Sequence, residues 1–436
     1  MKPRAFIDSL RQAGPYINAH RGRTFVIGFG GEALEDPAVD ELVQDIGLLR
    51  SLGARLVLVH GARPQIEQRL AQAGLELRYA GGLRITDADA LPLVKEAVGR
   101  SRIRLEARLS MGLAQSPLQG ARLRVVSGNF VTARPLGVRE GVDYCFTGEV
   151  RRIDAAGIRG WLDQDALVLL SPLGYSPTGE VFNLSAEEIA TAAAAALRAD
   201  KLLLLYEGDD LRTVGGELLR ELDPAEAERL LAGADGLADD VRRHLEQALR
   251  ACRAGVRRVH LLRRTQPGAL LLELYSRDGV GSMLSADSYD TLRGAGIDDV
   301  GGILALIRPL EEAGILVRRS RERLEVEIER VRVLERDGAI IGCAALYPFP
   351  QERFGELACL AVADDYRNGG RADSLLRQIE QQARRQGLDR LFVLTTRTAH
   401  WFQERGFAPA GLDDLPVARK ALYNWQRASK VFVKTL

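Results

Sequence analysis

A loop with two arginines and two glycines, residues 367–372, is suited to bind a phosphate group. The residues before it, 355–362, form a short apolar run compatible with a β-strand. After it, apolar residues recur at the spacing of a helix with one buried face, at Leu375, Leu376, Ile379 and Ala383. Glycines let the backbone approach a ligand, and the first amides of a helix have no partner within it. Such amides bind phosphate, and Arg367 and Arg371 add positive charge. The alternative is an ordinary solvated loop.

This loop resembles the pyrophosphate loop of the GNAT acetyltransferases, whose usual pattern is Arg/Gln-x-x-Gly-x-Gly/Ala. Arg367, Gly370 and Ala372 occupy the patterned positions. The resemblance implies that the loop holds the pyrophosphate of acetyl-CoA. It also implies that the preceding strand, splayed from its neighbour, holds the pantetheine and the thioester carbonyl. The acetyl-CoA residues expected on this basis are Cys359, Leu360, Val362, Arg367, Asn368, Gly369, Gly370, Arg371 and Ala372.

Acetyl transfer to an amine requires a base for the amine, stabilisation of the oxyanion and a proton for the leaving thiolate. Glu356 begins the strand that should be splayed, so we expect it to act as the base, through a water molecule. If this strand has the bulge of the family, amides near Cys359 and Leu360 should face the thioester oxygen. Thr395 ends the next strand and is the expected proton donor. His400 is an alternative base, but its position beside Trp401 on a predicted helix favours a packing role.

The composition of the chain describes a soluble protein of two or three domains. A net charge of +1 gives no electrostatic case for nucleic acid or a membrane surface as a partner. No apolar run reaches the roughly 18 residues of a spanning helix, and the N-terminus has no signal-peptide pattern. We therefore expect a cytoplasmic protein. The scattered cysteines lack metal-ligand spacing, so neither a metal site nor disulfides are expected; they are Cys145, Cys252, Cys343 and Cys359.

The N-terminal part of the chain predicts a three-layer α/β domain. Residues 24–27 and 54–60 read as parallel strands that each end in a glycine turn, with a helical pattern between them. Gly28, Gly30 and Ala33 fit the dinucleotide-binding spacing, but the second strand ends at His60 rather than at an acidic residue. A nicotinamide site is therefore rejected. Further strands are predicted at 201–205, 259–262 and 269–275.

This part of the chain resembles the amino-acid kinase fold, and specifically acetylglutamate kinase, over roughly residues 20–290. The likeness rests on Gly30-Gly31, Val59-His60-Gly61, the run from Gly81 to Thr86, and Phe182-Asn183.

This part of the chain differs from the kinase at the positions that catalyse phosphoryl transfer in that family. Gly28 stands where the kinase has a lysine, Ala62-Arg63 replaces a glycine run, and Glu187 replaces an aspartate. Phosphoryl transfer depends on positioned positive charge and backbone donors, so we expect a kinase shape without kinase activity.

With the GNAT-like part behind it, the whole chain resembles the bacterial N-acetylglutamate synthases. The most specific segments are 401–407, 423–430 and 316–320. The resemblance implies direct acetyl transfer from acetyl-CoA to L-glutamate, the first step of arginine biosynthesis. It assigns the carboxylates of glutamate to Arg319, Arg427 and Ser429, although Arg318 cannot be distinguished from Arg319 by sequence.

The resemblance also implies that the kinase-like domain binds L-arginine as an effector and forms rings of subunits, with a homohexamer expected. Tyr16, Glu273 and Gly281 resemble the inhibitor site of arginine-sensitive relatives. Three other functions are weighed: an acetylglutamate kinase, a non-enzymatic amino-acid sensor and a protein-lysine acetyltransferase.

The predicted organisation has four parts. They are an N-terminal helix (1–20), a three-layer αβα amino-acid-kinase-like domain (21–284), a linker (285–293) and a GNAT domain with a mixed, splayed central sheet (294–436).

Overall fold

The structure of the protein is a computed structural model, and it describes residues 3–111, 119–120, 123–212, 216–233, 237–276, 279–285, 290–336, 338–367, 370–421 and 429–436. The chain divides into two compact units, Met1–Asp287 and Ser288–Leu436. No helix of the described residues is long and apolar enough to cross a membrane.

The first unit is built on an eight-stranded sheet that is parallel except for one antiparallel pair. The strands of the first unit are β1 (Thr24–Phe29), β2 (Arg55–His60), β3 (Tyr79–Ala80), β4 (Leu83–Arg84), β5 (Val125–Val126), β6 (Val131–Pro135), β7 (Val138–Arg139), β8 (Val142–Asp143), β9 (Gly148–Ile153), β10 (Leu167–Leu170), β11 (Leu173–Tyr175), β12 (Val181–Asn183), β13 (Lys201–Tyr206), β14 (Glu221–Leu222), β15 (Val259–Arg263) and β16 (Ser282–Leu284). Eight of them form the large sheet, in the order β14-β16-β15-β13-β1-β2-β10-β5.

Helices cover both faces of this sheet because its central strands are apolar on both sides. Val26 of β1 packs with the helix at residues 186–197, whereas Phe25 and Ile27 pack with the helix at 39–51. This confirms the three-layer αβα prediction. The helices of this unit are α1 (Pro3–His20), α2 (Glu32–Glu35), α3 (Val39–Ser51), α4 (Arg63–Gln72), α5 (Ala90–Leu109), α6 (Ala155–Asp163), α7 (Ala186–Leu197), α8 (Pro224–Ala232), α9 (Asp239–Arg253) and α10 (Ala269–Tyr275).

Helix α10 corrects the predicted strand at 269–275. Leu270 and Leu274 are buried while Leu272 is exposed, which is the spacing of a helix. A short run of leucines fits either structure, and here the helical option lets two of them fill the core under β1.

The second unit has a seven-stranded sheet in the order β17-β18-β19-β20-β21-β23-β22. It is antiparallel except between β20 and β21. This confirms the mixed sheet. Its elements are β17 (Thr291–Gly294), α11 (Val300–Glu312), α12 (Arg321–Val326), β18 (Val331–Arg336), β19 (Ala339–Phe349), β20 (Phe354–Val362), α13 (Arg371–Arg385), β21 (Arg390–Thr395), α14 (Ala399–Gln403), β22 (Ala408–Ala410), α15 (Val417–Lys420) and β23 (Lys430–Thr435).

Strand β17 begins within the segment predicted as the linker. Residues 291–293 pair with β18 at the edge of the sheet, so they belong to the second unit. The segment has no strong apolar alternation, and only the pairing with β18 reveals it as a strand.

Candidate active site

A cavity of about 590 Å³ opens where strands β20 and β21 separate. In the described chain the two strands are paired only from Phe354 to Glu356, opposite Arg390 to Phe392. Beyond this point they diverge, and their facing residues line the cavity. These include Glu356 to Leu360 on one side and Val393 to Thr395 on the other. The predicted splay is thus present, and it brings both candidate catalytic residues to one space.

Strand β20 has a bulge on the wall of this cavity. Cys343 pairs with Ala361 and Ala345 pairs with Ala358, so Cys359 and Leu360 together face one residue of β19. Cys359 has a φ of +55°, in the left-handed region that a residue with a side chain seldom adopts. The thiol of Cys343 donates to the carbonyl oxygen of Cys359 across 3.4 Å. The bulge that was expected near the thioester is therefore present at Cys359 and Leu360.

Glu356 forms a bidentate ion pair that the sequence did not reveal. Nε of Arg419 lies 2.7 Å from one carboxylate oxygen and Nη2 lies 3.0 Å from the other. The side chains are only 12% and 19% exposed, and both line the cavity. Arg419 belongs to no recognisable motif, so only its placement in α15 identifies it as a site residue.

The opposite wall of the cavity carries further arginines. Arg319 lines the cavity, whereas the exposed Arg318 does not, which separates two residues that sequence could not. Arg323 pairs with Glu327 at 3.2 Å, and Arg330 stacks over the ring of Tyr347 at 5.3 Å. Among the described residues, neither guanidinium of Arg319 and Arg330 has a carboxylate partner, so this wall can receive an anion.

Of the two other predicted glutamate ligands, only Ser429 lies within the described residues. Ser429 is buried and lines the cavity, as Arg319 does. Arg427 lies outside the described residues.

Thr395 is buried on the cavity wall, and its hydroxyl is hydrogen-bonded to Thr398. Its Oγ1 lies 2.9 Å from the hydroxyl of Thr398 and accepts the amide N–H of Thr398 at 3.1 Å. Thr398 also lines the cavity, so the two hydroxyls form a short hydrogen-bonded chain. His400 lies on α14, as predicted from its position beside Trp401, but it is exposed rather than packed, and it does not line the cavity.

The predicted pyrophosphate loop leads into α13. Gly370 is the cap residue with a φ of +69°, and Arg371 begins the helix. Arg371 does not extend freely into solvent, because it donates to Asp290 at 2.6 Å and lies over Tyr366. Arg367 is exposed and pairs with Asp364 at 2.5 Å. Asn368 and Gly369 lie outside the described residues.

The remaining predicted acetyl-CoA residues divide into two groups. Cys359 and Leu360 line the cavity. Val362 and Ala372 instead pack in the core between α13 and the sheet. All the acetyl-CoA assignments to single residues stay predictions.

Two of the predicted effector residues, Glu273 and Gly281, contact each other in the first unit. The carboxylate of Glu273 is buried and accepts the amides of Val280 and Gly281 at 2.8 and 2.9 Å. It also lies 2.6 Å from Nδ1 of His260. Burial alone would raise the pKa of Glu273, but these hydrogen bonds outweigh it and lower the pKa to about 2. Tyr16 lies on α1, which contacts α10 through the 2.8 Å contact between His20 Nε2 and the carbonyl of Leu274.

Among the described residues, no group of three or more His, Cys, Asp or Glu side chains is arranged to hold a metal ion. The cysteines of the described residues form no disulfide, and Cys252, Cys343 and Cys359 are buried.

Two family models match the chain. The amino acid kinase family model matches residues 23–263, and the acetyltransferase (GNAT) family model matches residues 307–407. The amino-acid acetyltransferase of Azotobacter vinelandii is 58% identical over 99% of this chain and 100% of its own length. That of Pseudomonas aeruginosa PAO1 is 57% identical over 99% of both chains.

Similar solved structures come from Neisseria gonorrhoeae. Its N-acetylglutamate synthase complexed with coenzyme A and L-arginine is 40% identical, covers 99% of both chains and has a TM-score of 0.86. The same enzyme complexed with coenzyme A and N-acetyl-glutamate has a TM-score of 0.63 at the same identity and coverage.

Proposed function

Since this chain belongs to the bacterial amino-acid acetyltransferases, the family of N-acetylglutamate synthase, we propose that its acceptor is L-glutamate. The protein is an acyltransferase that uses acetyl-CoA, with an amino-acid-kinase-like unit in front of a GNAT unit. The observation that carries the choice of glutamate is the cavity wall with Arg319 and Arg330, whose guanidiniums have no carboxylate partner among the described residues. An acceptor with two carboxylates matches such a wall.

In the proposed reaction, the amine of glutamate attacks the thioester directly while both substrates are bound. Glu356 accepts the ammonium proton, directly or through water, because it lies at the end of the cavity where the strands begin to separate. The C–N bond forms first and gives a tetrahedral oxyanion, which amides of the bulge at Cys359 and Leu360 stabilise. The C–S bond then breaks, and the surplus proton on the new amide nitrogen passes to solvent. The thiolate takes a proton from the hydroxyl of Thr395, which is reprotonated by that of Thr398, 2.9 Å away, and Thr398 in turn by solvent.

The test is release of free thiol from acetyl-CoA with a panel of amino acids. We expect turnover with L-glutamate and a loss of about 10- to 100-fold in kcat/KM for Arg319→Ala, because a hydrogen bond to a charged group contributes about 1.5–3 kcal/mol. The neighbouring Arg318→Ala is the matched control and should behave as the native chain. Equal turnover with alanine and glutamate, or equal losses in both variants, would refute the proposal.

The kinase alternative is tested by ATP consumption with N-acetylglutamate as acceptor. We expect no ATP consumption, since Gly28 stands in place of the kinase lysine, and a Cβ at this position would come within 3.1 Å of the side chains of Ala190 and Leu204. The sensor alternative predicts no thiol release with any amino acid.

We further propose that L-arginine is an effector bound near Tyr16, Glu273 and Gly281. The complex of the Neisseria gonorrhoeae enzyme with L-arginine supports this proposal. The velocity of acetyl transfer should change as L-arginine is added, and a flat titration up to millimolar concentrations would refute it.

We also propose a homohexamer, supported by the apolar side chains that α1 exposes at Phe6, Ile7 and Leu10. Light scattering of the native chain and Leu10→Glu tests this. Assembly that is unchanged in the variant would argue against a role for α1.

A further inference from the structure

Tyr347 contacts both Arg319 and Arg330, the arginines of the acetyl-transfer cavity that have no carboxylate partner among the described residues. It lies in β19, is partly buried and lines the cavity. In the register of the sheet it stands directly opposite Glu356 of the neighbouring strand β20. Side chains opposed in this way on antiparallel strands lie on the same face of the sheet, with Cβ atoms about 4.5–5.5 Å apart. Tyr347 is therefore a neighbour of the proposed base as well as of the two arginines.

The hydroxyl of Tyr347 has a fixed direction. It donates its proton to Oε2 of Glu327 at 2.6 Å. Glu327 is itself held by Nε of Arg323, which donates to the other carboxylate oxygen at 3.2 Å. Burial raises the pKa of Tyr347, and the hydrogen bond to Glu327 raises it further, so the phenol stays protonated. Since a phenol has only one O–H to donate, its oxygen meets any other partner as an acceptor.

The guanidinium of Arg319 is that other partner. It donates to the phenol oxygen of Tyr347. Its Nη1 also donates to the carbonyl oxygen of Val317 at 3.3 Å. These two contacts restrict a long side chain that would otherwise lose much rotamer entropy when it binds a ligand. A guanidinium has five N–H donors, so Arg319 keeps donors for a carboxylate of the acceptor.

The ring of Tyr347 contacts the second arginine. Cζ of Arg330 lies 5.3 Å from the ring centroid, within the distance of about 6 Å at which the face of an aromatic ring attracts a cation. Arg330 is exposed, so without the ring its side chain would sample many rotamers. One tyrosine thus restrains both guanidiniums, the first through its hydroxyl and the second through its ring.

We propose that Tyr347 is a positioning residue for recognition of the acceptor, because its hydroxyl orients Arg319 and its ring orients Arg330 toward the carboxylates of the amino acid. This role rests on the proposed function, in which these arginines bind the acceptor. Tyr347 takes no part in the transfer of protons or of the acetyl group. Its effect should therefore appear in the KM for the acceptor and not in kcat.

The experiment is steady-state thiol release by the full chain, with L-glutamate and acetyl-CoA varied separately. Tyr347→Phe removes only the hydroxyl and should raise the KM for L-glutamate by about three- to tenfold, while kcat and the KM for acetyl-CoA stay within twofold of native. Tyr347→Leu also removes the ring and should raise the KM for L-glutamate further. Glu325→Gln is the control, because Glu325 pairs with Arg321 on α12 outside the cavity, and it should have native constants.

Double variants show whether Tyr347 acts through the two arginines. Tyr347→Phe should not raise the KM for L-glutamate further when it is added to Arg319→Ala, because no guanidinium is left for the hydroxyl to orient. The additional rise from Tyr347→Phe to Tyr347→Leu should likewise disappear in the background of Arg330→Ala.

The role of Tyr347 is overturned if Tyr347→Phe keeps the KM for L-glutamate within twofold of native, or if it raises that KM equally with and without Arg319. A melting temperature that falls together with kcat and a rise in both KM values would show a packing role instead. If Arg319→Ala itself keeps the native KM for L-glutamate, the proposed binding of the acceptor to this wall fails as well. An effect of Arg319→Ala without one of Tyr347→Phe refutes only the role of Tyr347.

Discussion

The carboxylate of Glu356 accepts hydrogen bonds from both Nε and Nη2 of Arg419, which lies 63 residues further along the chain. This bidentate contact fixes the rotamer of the proposed base on the wall of the acetyl-transfer cavity. It also means that the carboxylate has only its remaining lone pairs free for a proton of the substrate or of a water molecule. Position and reactivity of the base therefore depend on a residue from a different element.

The first prediction concerns Glu356 as the base. Glu356→Gln keeps the size of the side chain but cannot accept a proton, so kcat should fall by about 10²–10⁴-fold while the KM for acetyl-CoA changes little. Steady-state thiol release measures both. Glu352→Gln, four residues earlier, is the control and should retain native kcat. A kcat for Glu356→Gln within threefold of native would assign the proton transfer to another group.

The second prediction concerns Arg419 as a positioning residue. Arg419→Gln should lower kcat, and Arg419→Lys should restore only part of it, because an ammonium lacks the planar fork that holds both oxygens. The double variant Glu356→Gln, Arg419→Gln should be no slower than Glu356→Gln alone, since the two residues act as one unit.

The control for Arg419 is Lys420→Gln, whose exposed side chain pairs with Asp413 outside the cavity and should not affect kcat. Additive losses in the double variant would show that Arg419 acts independently of Glu356.

The third prediction concerns the backbone of the bulge. At Cys359, with its φ of +55°, a β-branched side chain is strained by about 1–3 kcal/mol. Cys359→Val should therefore lower the melting temperature and raise the KM for acetyl-CoA. Cys359→Gly adopts the same φ without strain and is the control. If both variants bind acetyl-CoA equally well, the conformation at this position is not what the cofactor requires.

The fourth prediction concerns acid stability of the kinase-like unit. His60 is fully buried, with its ring nitrogens 2.9 Å from the carbonyl oxygen of Gly61 and 3.0 Å from the hydroxyl of Ser171. Burial lowers the pKa of His60 to about 4, against an ordinary value of 6.5. The unfolded chain thus binds a proton at pH values where the folded chain does not. The free energy of unfolding should fall by about 1–3 kcal/mol as pH drops from 6.5 to 4.

Urea unfolding at several pH values measures how the free energy of unfolding changes with pH. The variant His60→Gln should show a smaller change, because glutamine is neutral in both the folded and the unfolded chain. The control variant His400→Gln changes an exposed histidine and should keep the pH dependence of the native chain. If His60→Gln also keeps that pH dependence, another group causes the loss of stability in acid.

Local sequence determined much of the site. The turn that starts α13, the strand with Glu356 and the strand that ends at Thr395 follow from periodicity and glycine placement, which act over a few residues. The three-layer αβα fold was likewise predictable, because doubly apolar strands between helices permit few other arrangements. The GNAT fold was predicted from the resemblance of the loop at 367–372 to that family. That Gly28 and Glu187 replace catalytic residues of the kinase stays a prediction from the resemblance to acetylglutamate kinase.

Tertiary structure decided what depends on contacts between distant residues. Nothing near Arg419 in the chain marks it as the partner of Glu356, and nothing distinguishes Arg318 from Arg319 until one of them lines a cavity. The run at 269–275 becomes a helix because the core accepts two of its leucines, a choice that short apolar runs leave open.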